Sequence, residues 1–379
     1  MDFQFTETQQ MVRQTIRDFA ETELAPGAAE RDEKEIYPRE AIQKLGELGF
    51  MGVTVPEENG GSGLDMVSYA IAIEELGRVE ASVAIIVSVQ NSLLCYPLEK
   101  FASEEQKNRF LKPLASGAKL GAFALTEPDS GSDAGDMKTV AVKDGDHYII
   151  NGSKCFITSG ANCNMMLTFV VTDATKGSKG SSAFMIEKGT PGFNVVRREE
   201  KLGIRATDTA LISFEDCRVP AANMIGTEGM GLKIALTALD SGRIGVASQA
   251  LGIAQGAFEQ AVKYSKERVQ FGKPIAAFQA TQFKIARMAT EIEAARLLLY
   301  SAAAKKDRGE RFTKEAAMAK LYCSEVAVRT ALEAVQIHGG YGYIKEYPVE
   351  RFLRDSKITT IYEGTSEIMH LVIAGTVLG

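Results

Sequence analysis

The chain has 379 residues, of which 45% are hydrophobic and 24% are charged. This length exceeds what one simple hydrophobic core usually holds, so two or three domains are expected. The net charge of −6, with no stretch rich in Lys and Arg, argues against nucleic-acid binding. Five cysteines without a CxxC pair predict reduced thiols, and three histidines without a metal-ligand spacing predict no metal site.

The sequence predicts neither a targeting peptide nor a membrane span. The segment Met1–Glu7 carries acidic residues where a targeting peptide would carry basic ones, so a cytoplasmic, bacterial-type location is expected. The uncharged run Ala81–Leu98 has the length of a membrane span, but it contains Ser, Gln, Asn and Pro. It is therefore predicted to be a buried helix.

Residues 1–120 are predicted to form an N-terminal α-helical domain. Near its start, Val12 and Ile16 belong to an apolar stripe with helical spacing. Farther along, Ser103 and Gln106 form the capping signal that opens another helix.

Residues 121–230 are predicted to form a small antiparallel β-domain. Tyr148–Ile150 and Lys154–Thr158 are apolar segments separated by Asn151-Gly152, a strong short hairpin signal. The two segments are therefore predicted to pair through a turn at that dipeptide.

Residues 231–379 are predicted to form a C-terminal four-helix bundle. Met288 and Ile292 lie four residues apart in one apolar pattern, and Val328 and Leu332 do so in a later one. Because helices, strands and helices come in blocks, the predicted fold class is α+β multidomain rather than alternating α/β. Neither a Gly-rich dinucleotide motif nor a P-loop occurs, so a nucleotide cofactor would be held in another way.

The stretch IYEGTSE near the C-terminus is the strongest candidate for chemistry. Glu363 stands between an aromatic residue and a glycine, and Gly364 permits a positive φ or a close backbone approach. Thr365 or Ser366 can cap a following helix, whose N-terminus attracts anions. The pattern by itself also fits an ordinary exposed acid in a turn.

Four further segments combine polar, aromatic and glycine residues. The loop Ala124–Asp133 is dense in hydroxyl and backbone N–H groups that can hold a pyrophosphate. In Phe156–Gly160 a ring and a Thr hydroxyl can face one flat ligand, although core packing of the ring is the simpler interpretation. Gln336–Tyr343 has three glycines in four positions, which indicates close backbone contact with a ligand. Arg268–Ile275 is similar, with a basic residue, an aromatic residue and a Gly–Pro bend between two helices.

In this order and at this spacing, the motifs resemble the acyl-CoA dehydrogenase family over essentially the whole chain, and most closely its short-chain, butyryl-CoA branch. The segments that carry the resemblance are Leu125–Asp133, Asn151-Gly152, Phe156–Gly160, Arg268–Pro274, Gln279, Gln336–Gly342 and Ile361–Glu367. The family fold consists of a helical domain, a β-barrel-like domain and a four-helix bundle, which agrees with the three blocks.

The resemblance implies that FAD lies between the β-domain and the bundle, and that a neighbouring subunit completes its site. The residues implied to bind it within one chain are Phe123, Leu125, Thr126, Ser132, Phe156, Ile157, Thr158, Thr365, Ser366 and Glu367. The residues implied to come from the partner chain are Arg268, Phe271, Gln279, Gln336, Gly339 and Gly340. The residues implied to touch acyl-CoA are Ser132, Asp240, Arg243, Tyr362 and Gly364.

The reaction implied by the resemblance is α,β-dehydrogenation of butyryl-CoA to crotonyl-CoA. Glu363 would remove the α-proton while a hydride leaves the β-carbon for flavin N5. Burial would raise the pKa of this base from about 4.3 toward the working pH. Gly242 stands where some branches carry the base, which leaves Glu363 as the candidate. The implied electron acceptor is electron-transfer flavoprotein, and the implied assembly is a homo-oligomer, a dimer of dimers.

Several alternatives stay open at this point. The preferred acyl chain can be longer or branched, and the physiological reaction can be crotonyl-CoA reduction. An oxygen-using acyl-CoA oxidase or monooxygenase shares the fold, although oxidases are usually longer and monooxygenases lack the Glu363 motif. A non-catalytic interaction protein is the third alternative, against which the intact base and flavin loop argue.

Overall fold

The computed structural model describes residues 4–379, so the first three residues of the Met1–Glu7 segment lie outside the described part. The N-terminal block comprises α1 (Glu7–Phe19), α2 (Ala28–Lys34), α3 (Arg39–Glu47), α4 (Met66–Gly77), α5 (Ala81–Val89), α6 (Tyr96–Phe101), α7 (Glu104–Gln106) and α8 (Lys112–Ala115). The β-block comprises β1 (Gly121–Ala124), β2 (Val140–Asp144), β3 (His147–Thr158), β4 (Met165–Val171), β5 (Ser181–Glu187), β6 (Phe193–Arg198), β7 (Thr209–Pro220) and β8 (Met224–Ile225). The C-terminal block comprises α9 (Gly231–Glu267), the short strands β9 (Val269–Gln270) and β10 (Lys273–Pro274), α10 (Gln279–Asp307), α11 (Thr313–His338), α12 (Val349–Ile358) and α13 (Ser366–Leu378).

Local capping signals set the start of two N-terminal helices. Thr6 and Gln9 form a reciprocal capping box at α1, and Ser103 and Gln106 form one at α7, as the sequence predicted for the latter. The predicted apolar stripe of α1 is buried, and the helix packs against α4.

The helical run Ala81–Phe101 has the length and apolar composition of a membrane span. Along it, α5 passes through a π-helical turn at Gln90–Cys95 into α6. Its most apolar window is 94% buried inside the protein. The side chain of Asn91 is used internally, since its oxygen accepts the Val53 N–H at 2.7 Å. The predicted buried helix is therefore confirmed.

One eight-stranded sheet forms the middle block, in the order β6-β7-β3-β2-β4-β5-β8, with β1 beside β4. Pairing is antiparallel except for β1 with β4 and one residue pair of β2 with β4, which are parallel. One set of side chains, including Ile150 and Phe214, forms a separate core within the β-block. Leu167 and Phe169 belong instead to the core of the helical blocks. The sheet is thereby packed onto the helical blocks, and α9 contacts β4 and β5.

The predicted hairpin at Asn151-Gly152 is wrong. β3 runs through both residues as one strand, and a bulge between Ile150 and Gly152 shifts its register against β7. Glycine is needed there because its φ is 145° and a Cβ would lie 2.6 Å from the Thr139 hydroxyl oxygen. Pairing with the distant β7 outweighs the local turn signal. The turn between β2 and β3 lies instead at Gly145, where φ is 62°.

α9, α10 and α11 pack together as the bundle, and α9 also packs against α4. Met288 and Ile292 are buried, as their spacing predicted. On α11 the predicted helix is confirmed, but the two residues picked by the spacing are not its most buried ones, since Val328 is half-buried and Leu332 is 55% exposed. Small residues such as Ala327 and Ala331 are buried instead, since they let α11 approach α9 closely. The spacing thus located the helix without deciding which face is covered.

α12 links the three blocks just before the IYEGTSE stretch. Arg354 donates to Asp32 of α2 at 2.7 Å and to Glu350 of its own helix at 2.7 Å. The buried Asp355 accepts the backbone N–H of Ile204, in the connection between β6 and β7, at 2.6 Å. Burial raises the pKa of Asp355 to about 7, although the Ile204 N–H works in the opposite direction.

We expect the wild-type protein to become less stable as the pH rises, and we expect Asp355→Asn to be largely free of this pH dependence. The protonated Asp355 favours the folded state, so its contribution is complete below the ordinary pKa of 3.8 and is lost as the pH rises through about 7. Between about pH 5 and pH 8, the free energy of unfolding of the wild type should fall relative to the variant by on the order of 2–3 kcal/mol. Urea unfolding followed by circular dichroism measures this, since the chain has no Trp.

The control variant is Asp144→Asn, which removes an exposed carboxylate paired with Arg218. It should keep the pH dependence of the wild type, because exposed ion pairs contribute little to stability. If Asp355→Asn also kept that dependence, the buried carboxyl would not be its source.

Candidate active site

Glu363 lies in a turn between α12 and α13 with a left-handed backbone conformation, at a φ of 54°. Such a φ costs a residue other than glycine roughly 1–3 kcal/mol and persists only where its surroundings impose it. Thr365 caps α13 by accepting the Ile368 N–H, and the Ser366 N–H donates to the Thr360 carbonyl at 3.0 Å. These bonds tie the end of the turn to the start of α13 and to the residues after α12.

The Glu363 carboxylate faces α9 at Gly242. A Cβ on residue 242 would lie 1.9 Å from Glu363 Oε2 and 2.9 Å from the Leu93 side chain, so only glycine leaves room for the carboxylate. Both carboxylate oxygens are shielded from solvent and have no hydrogen-bond partner among residues 4–379. Because a buried, unpartnered carboxylate is costly and uncommon, it marks a functional position.

Burial raises the pKa of Glu363 to about 7, because the carboxylate loses its hydration. The positive charges of Lys320 and Arg243 oppose this rise without cancelling it. The acid and its carboxylate are therefore both well populated near neutral pH, as a general base requires.

Four of the residues predicted to touch acyl-CoA lie in this turn or on α9 beside it. Tyr362 and Gly364 flank the carboxylate-bearing residue in sequence. Arg243, which is 6% exposed, donates to Asp240 at 2.6 Å, and Asp240 also accepts the Thr313 hydroxyl at 2.8 Å. The Nε atom of Arg243 is buried and has no hydrogen-bond partner in the described chain. A buried donor without a partner is uncommon, so this position, like that of the Glu363 carboxylate, is a candidate functional one.

Two residues that the motifs did not single out hold the turn from the bundle. Gln249 on α9 accepts the Tyr362 hydroxyl, and the buried Lys320 on α11 donates to the Gly364 carbonyl at 2.6 Å. Both lie inside long helices and carry no motif of their own. The available signal was a polar residue at a core-facing helical position, which is uncommon unless it is bonded.

Hydroxyl groups fill the space beside α9 one turn beyond Gly242. Tyr69 Oη and Ser88 Oγ lie 3.0 Å apart, and a Cβ on Gly245 would lie 2.3 and 2.1 Å from them. Burial raises the pKa of Tyr69 well above its usual value, so its phenol stays neutral. Tyr69 and Ser88 thus close this side of the site.

A buried ion pair, not identified from the sequence, fixes the loop after β1. Lys154 on β3 is fully buried, and its ammonium contacts Glu127 at 2.6 Å and the Leu125 carbonyl at 3.0 Å. Glu127 also accepts the backbone N–H groups of Lys138 at 2.6 Å and Thr139 at 3.1 Å. Burial works against the carboxylate, but these partners together lower the pKa of Glu127. The loop is thereby anchored at both ends of its turn.

The predicted flavin residues of β3 lie beside this loop. The Cys155 N–H donates to the Thr126 carbonyl at 2.9 Å, which places the loop next to Phe156. Phe156 adopts a φ of 58° at a bulge, and its side chain is 66% exposed, so it does not pack in the core. Ile157 is buried and Thr158 half-buried. An open aromatic ring is a suitable stacking surface for a flat ligand.

The other predicted flavin residues of the same chain differ in exposure. Leu125 is buried and Phe123 half-buried at the end of β1, whereas Ser132 is exposed on the loop. At the start of α13, Ser366 is half-buried and Glu367 is exposed.

The residues predicted to serve a partner chain lie at the other end of α9. β9 and β10 form a hairpin with Phe271 at its tip, where it is 93% exposed. The Arg268 guanidinium lies 5.4 Å from the centre of the Tyr341 ring. Gln279 and Gln336 are exposed on α10 and α11. An open groove of about 450 Å³ is lined by Tyr264, Arg268, Gln270, Ile275, Ile337, His338, Gly339, Gly340, Tyr341 and Ile344.

The two groups of predicted flavin residues do not meet within one chain. Gly242, which meets Glu363, lies in the first third of α9 and Arg268 just beyond its end, which at 1.5 Å per residue separates them by roughly 40 Å. The structure therefore brings Arg268, Gly339 and Gly340 together in a groove that is remote from Glu363.

The residues present fit a flavin. The hydroxyl groups of Thr126 and Thr158 make no hydrogen bond within the described chain. Thr126 is joined to β3 through the Cys155 N–H, next to the exposed Phe156, and Thr158 follows Phe156 by two residues on the same strand. A flat, heteroaromatic group can stack on that ring and use the free hydroxyls, while the groove at Arg268 offers a cation and close backbone approach at two glycines.

Three family models together match almost the entire chain. They describe the N-terminal, middle and C-terminal domains of acyl-CoA dehydrogenase and match residues 6–118, 122–217 and 229–378. The chain belongs to the acyl-CoA dehydrogenase family, whose members are flavoprotein oxidoreductases that in general use FAD. The family resemblance and the fold class predicted from the sequence are confirmed.

Individual members of the family resemble the chain over its full length. The chain is 52% identical over 377 residues to the short-chain specific acyl-CoA dehydrogenase of Clostridium acetobutylicum, with 100% of each chain covered. The structure of butyryl-CoA dehydrogenase from Megasphaera elsdenii matches with 51% identity and a TM-score of 0.99, covering 100% of both chains. A chain in a structure of the electron transferring flavoprotein of Acidaminococcus fermentans matches with the same identity, TM-score and coverage.

We expect Lys154→Met to destabilise the protein by about 3 kcal/mol, because it leaves the buried Glu127 carboxylate without its counter-charge. Flavin retained per chain should fall as the loop after β1 loosens. Urea unfolding and flavin absorbance measure the two effects. The double variant Lys154→Met/Glu127→Gln should recover part of the stability, since it removes the unpaired charge.

The matched control is Lys138→Met, which removes an exposed lysine from the same loop. It should change stability by less than about 1 kcal/mol. Equal destabilisation by Lys138→Met and Lys154→Met would contradict a special role for the buried pair.

Proposed function

We propose that this protein is a short-chain acyl-CoA dehydrogenase that uses FAD to convert butyryl-CoA to crotonyl-CoA, with Glu363 as the base. The observation that carries the proposal is the Glu363 carboxylate, which is shielded from water, has no hydrogen-bond partner in the described part of the chain and is held against Gly242. A carboxylate in this state is a stronger base than one in water and has no competing hydrogen bond.

Proton removal by Glu363 begins the reaction. A substrate whose α-carbon lies against the carboxylate loses a proton to it, while the enclosed turn excludes water from that proton. The backbone N–H of Glu363 donates no hydrogen bond within residues 4–379, so it is free to bind the thioester oxygen. One such donor is worth on the order of 3 kcal/mol to a developing negative charge. FAD, when bound, accepts the hydride from the β-carbon.

Preference for a short acyl chain is supported by the closed side of the site. Tyr69 and Ser88 occupy the space one helical turn beyond Gly242, which limits the depth available for an acyl chain there. The 52% identity to a short-chain specific relative supports the same substrate class. The similar chain in the electron transferring flavoprotein structure supports that flavoprotein as the electron acceptor.

The test is an anaerobic titration of the flavin-loaded protein with acyl-CoA substrates of increasing chain length, followed by flavin absorbance. We expect butyryl-CoA to bleach the oxidised flavin most strongly. The value of kcat/KM should rise with pH through about 7, because the free enzyme needs Glu363 deprotonated. Glu363→Gln should retain flavin and bind substrate, yet lose turnover by about 10³-fold or more.

The control is Glu105→Gln, which neutralises an exposed acid on α7 and should leave turnover unchanged. If a longer or branched acyl-CoA bleached the flavin most strongly, the proposed substrate class would be wrong, but the proposed mechanism would stand. Failure of every acyl-CoA to bleach the flavin would rule out the proposed reaction, and near-normal turnover of Glu363→Gln would rule out the proposed base.

We also propose that the active unit is a homo-oligomer, a dimer of dimers. The residues near Arg268 and those near Glu363 lie too far apart in one chain to share one cofactor, so a second copy would supply one group. Large apolar side chains on the outer surface of the bundle support a contact between copies. These exposed residues are Phe283, Leu297, Leu332, Leu371 and Leu378.

Sedimentation velocity should give a species of about four times the 41.0 kDa chain mass. Phe283→Asp/Leu332→Asp should shift it to smaller species, because charges would be buried at the contact. Met11→Asp, at an equally exposed apolar position on α1, is the control and should keep the assembly. A wild-type protein that sedimented as a monomer would contradict the proposal.

A further inference from the structure

Lys320 is a fully buried lysine in the middle of α11. Within residues 4–379 its ammonium makes one hydrogen bond, to the Gly364 carbonyl at 2.6 Å, and it forms no contact ion pair there. A lysine carries three donors and a full charge, so this neutral acceptor compensates little of its burial. The position is unexplained by packing alone.

Glu363 is a buried negative charge in a similar situation to the positive charge of Lys320. Its carboxylate is also buried and also lacks an ion pair within the described chain. The acceptor of the Lys320 bond belongs to Gly364, the residue that follows Glu363, so the turn that carries the carboxylate also binds the ammonium. Among the charged groups nearby, each of the two has the largest effect on the pKa of the other, although they do not form a contact ion pair.

The other charged and titratable groups around this pair are already engaged or remote. Arg243, on α9, is bonded to Asp240 at 2.6 Å, which offsets its charge. Glu367, on α13, is exposed, so solvent screens its effect. Tyr69 on α4 and Tyr362 beside the base stay neutral, because burial raises the pKa of both phenols. Lys320 is thus the cation whose charge is least offset near the base.

We propose that Lys320 is a positioning residue for the base: its ammonium holds the Gly364 carbonyl, and with it the left-handed turn at Glu363, and favours the carboxylate form of Glu363. This inference rests on the proposed role of Glu363. The bond acts on the backbone immediately after the base, so its loss would free the turn that aims the carboxylate at Gly242. Burial lowers the pKa of Lys320 to about 8, while Glu363 works to raise it, which leaves the ammonium form populated at neutral pH.

The experiment compares the pH dependence of kcat/KM for the flavin-loaded wild type, Lys320→Met and Lys320→Gln. Without the ammonium, the acidic limb should move to higher pH by about one unit, which lowers kcat/KM near pH 6 by about tenfold. Lys320→Gln lacks the charge but keeps an N–H donor for the Gly364 carbonyl. The acidic limb of its kcat/KM profile should therefore move as far as that of Lys320→Met, while its maximal kcat/KM at high pH should stay closer to the wild-type value. If Lys320→Met does not fold, the shift of the acidic limb is measured with Lys320→Gln alone.

A spectroscopic readout makes the result independent of turnover. Infrared difference spectra should show a protonated carboxyl band that is absent from Glu363→Gln, and this band should titrate at higher pH in both Lys320 variants. Lys305→Met removes a half-buried lysine bonded to Glu315 between α10 and α11, and it should leave both the limb and the band unmoved.

The outcomes separate this inference from the proposed function. If both Lys320 variants keep the acidic limb and the band at the wild-type pH, Lys320 does not favour the carboxylate, and the inference is overturned while Glu363 remains the base. If Glu363→Gln retains turnover, the proposed base is wrong and the inference falls with it.

Discussion

The Glu363 carboxylate lies against the backbone of α9 at Gly242, where it is shielded from solvent and accepts no hydrogen bond from residues 4–379. Keeping a carboxylate in such a place is unfavourable, so the surrounding structure has to impose it. The left-handed turn, the Thr365 cap and the Lys320 bond to the neighbouring carbonyl together do so. The site is therefore a strained arrangement that the rest of the fold maintains.

Buried polar contacts connect that arrangement to all three blocks. α12 leads into the turn and is bonded to the N-terminal block through Asp32 and to the β-block through Ile204. On the β-block, the Lys154–Glu127 pair anchors the loop beside the exposed Phe156 ring. Because a buried pair is strongly destabilising when only one partner is lost, these contacts make the geometry of the site depend on the packing of all three blocks.

Several features could be read from the sequence because their causes are local. Capping boxes involve residues three positions apart, so the starts of α1 and α7 are visible in the chain itself. The turn at Glu363 and the cap at Thr365 are also encoded within a few residues. The Asn151-Gly152 prediction failed because β7, far along the chain, pairs with the strand and holds it extended. The same lack of long-range information left Gln249, Lys154 and Lys320 unrecognised.

By itself, the sequence determined the order of helical, β and helical blocks and the family motifs, since hydrophobic period and short motifs are properties of neighbouring residues. Only the tertiary structure decided that Glu363 meets Gly242, that Lys320 meets the Gly364 carbonyl, and that the small-residue face of α11 is the covered one. Desolvation and ion pairing depend on which distant residues are brought together, so the basicity of Glu363 is set by packing rather than by its own segment.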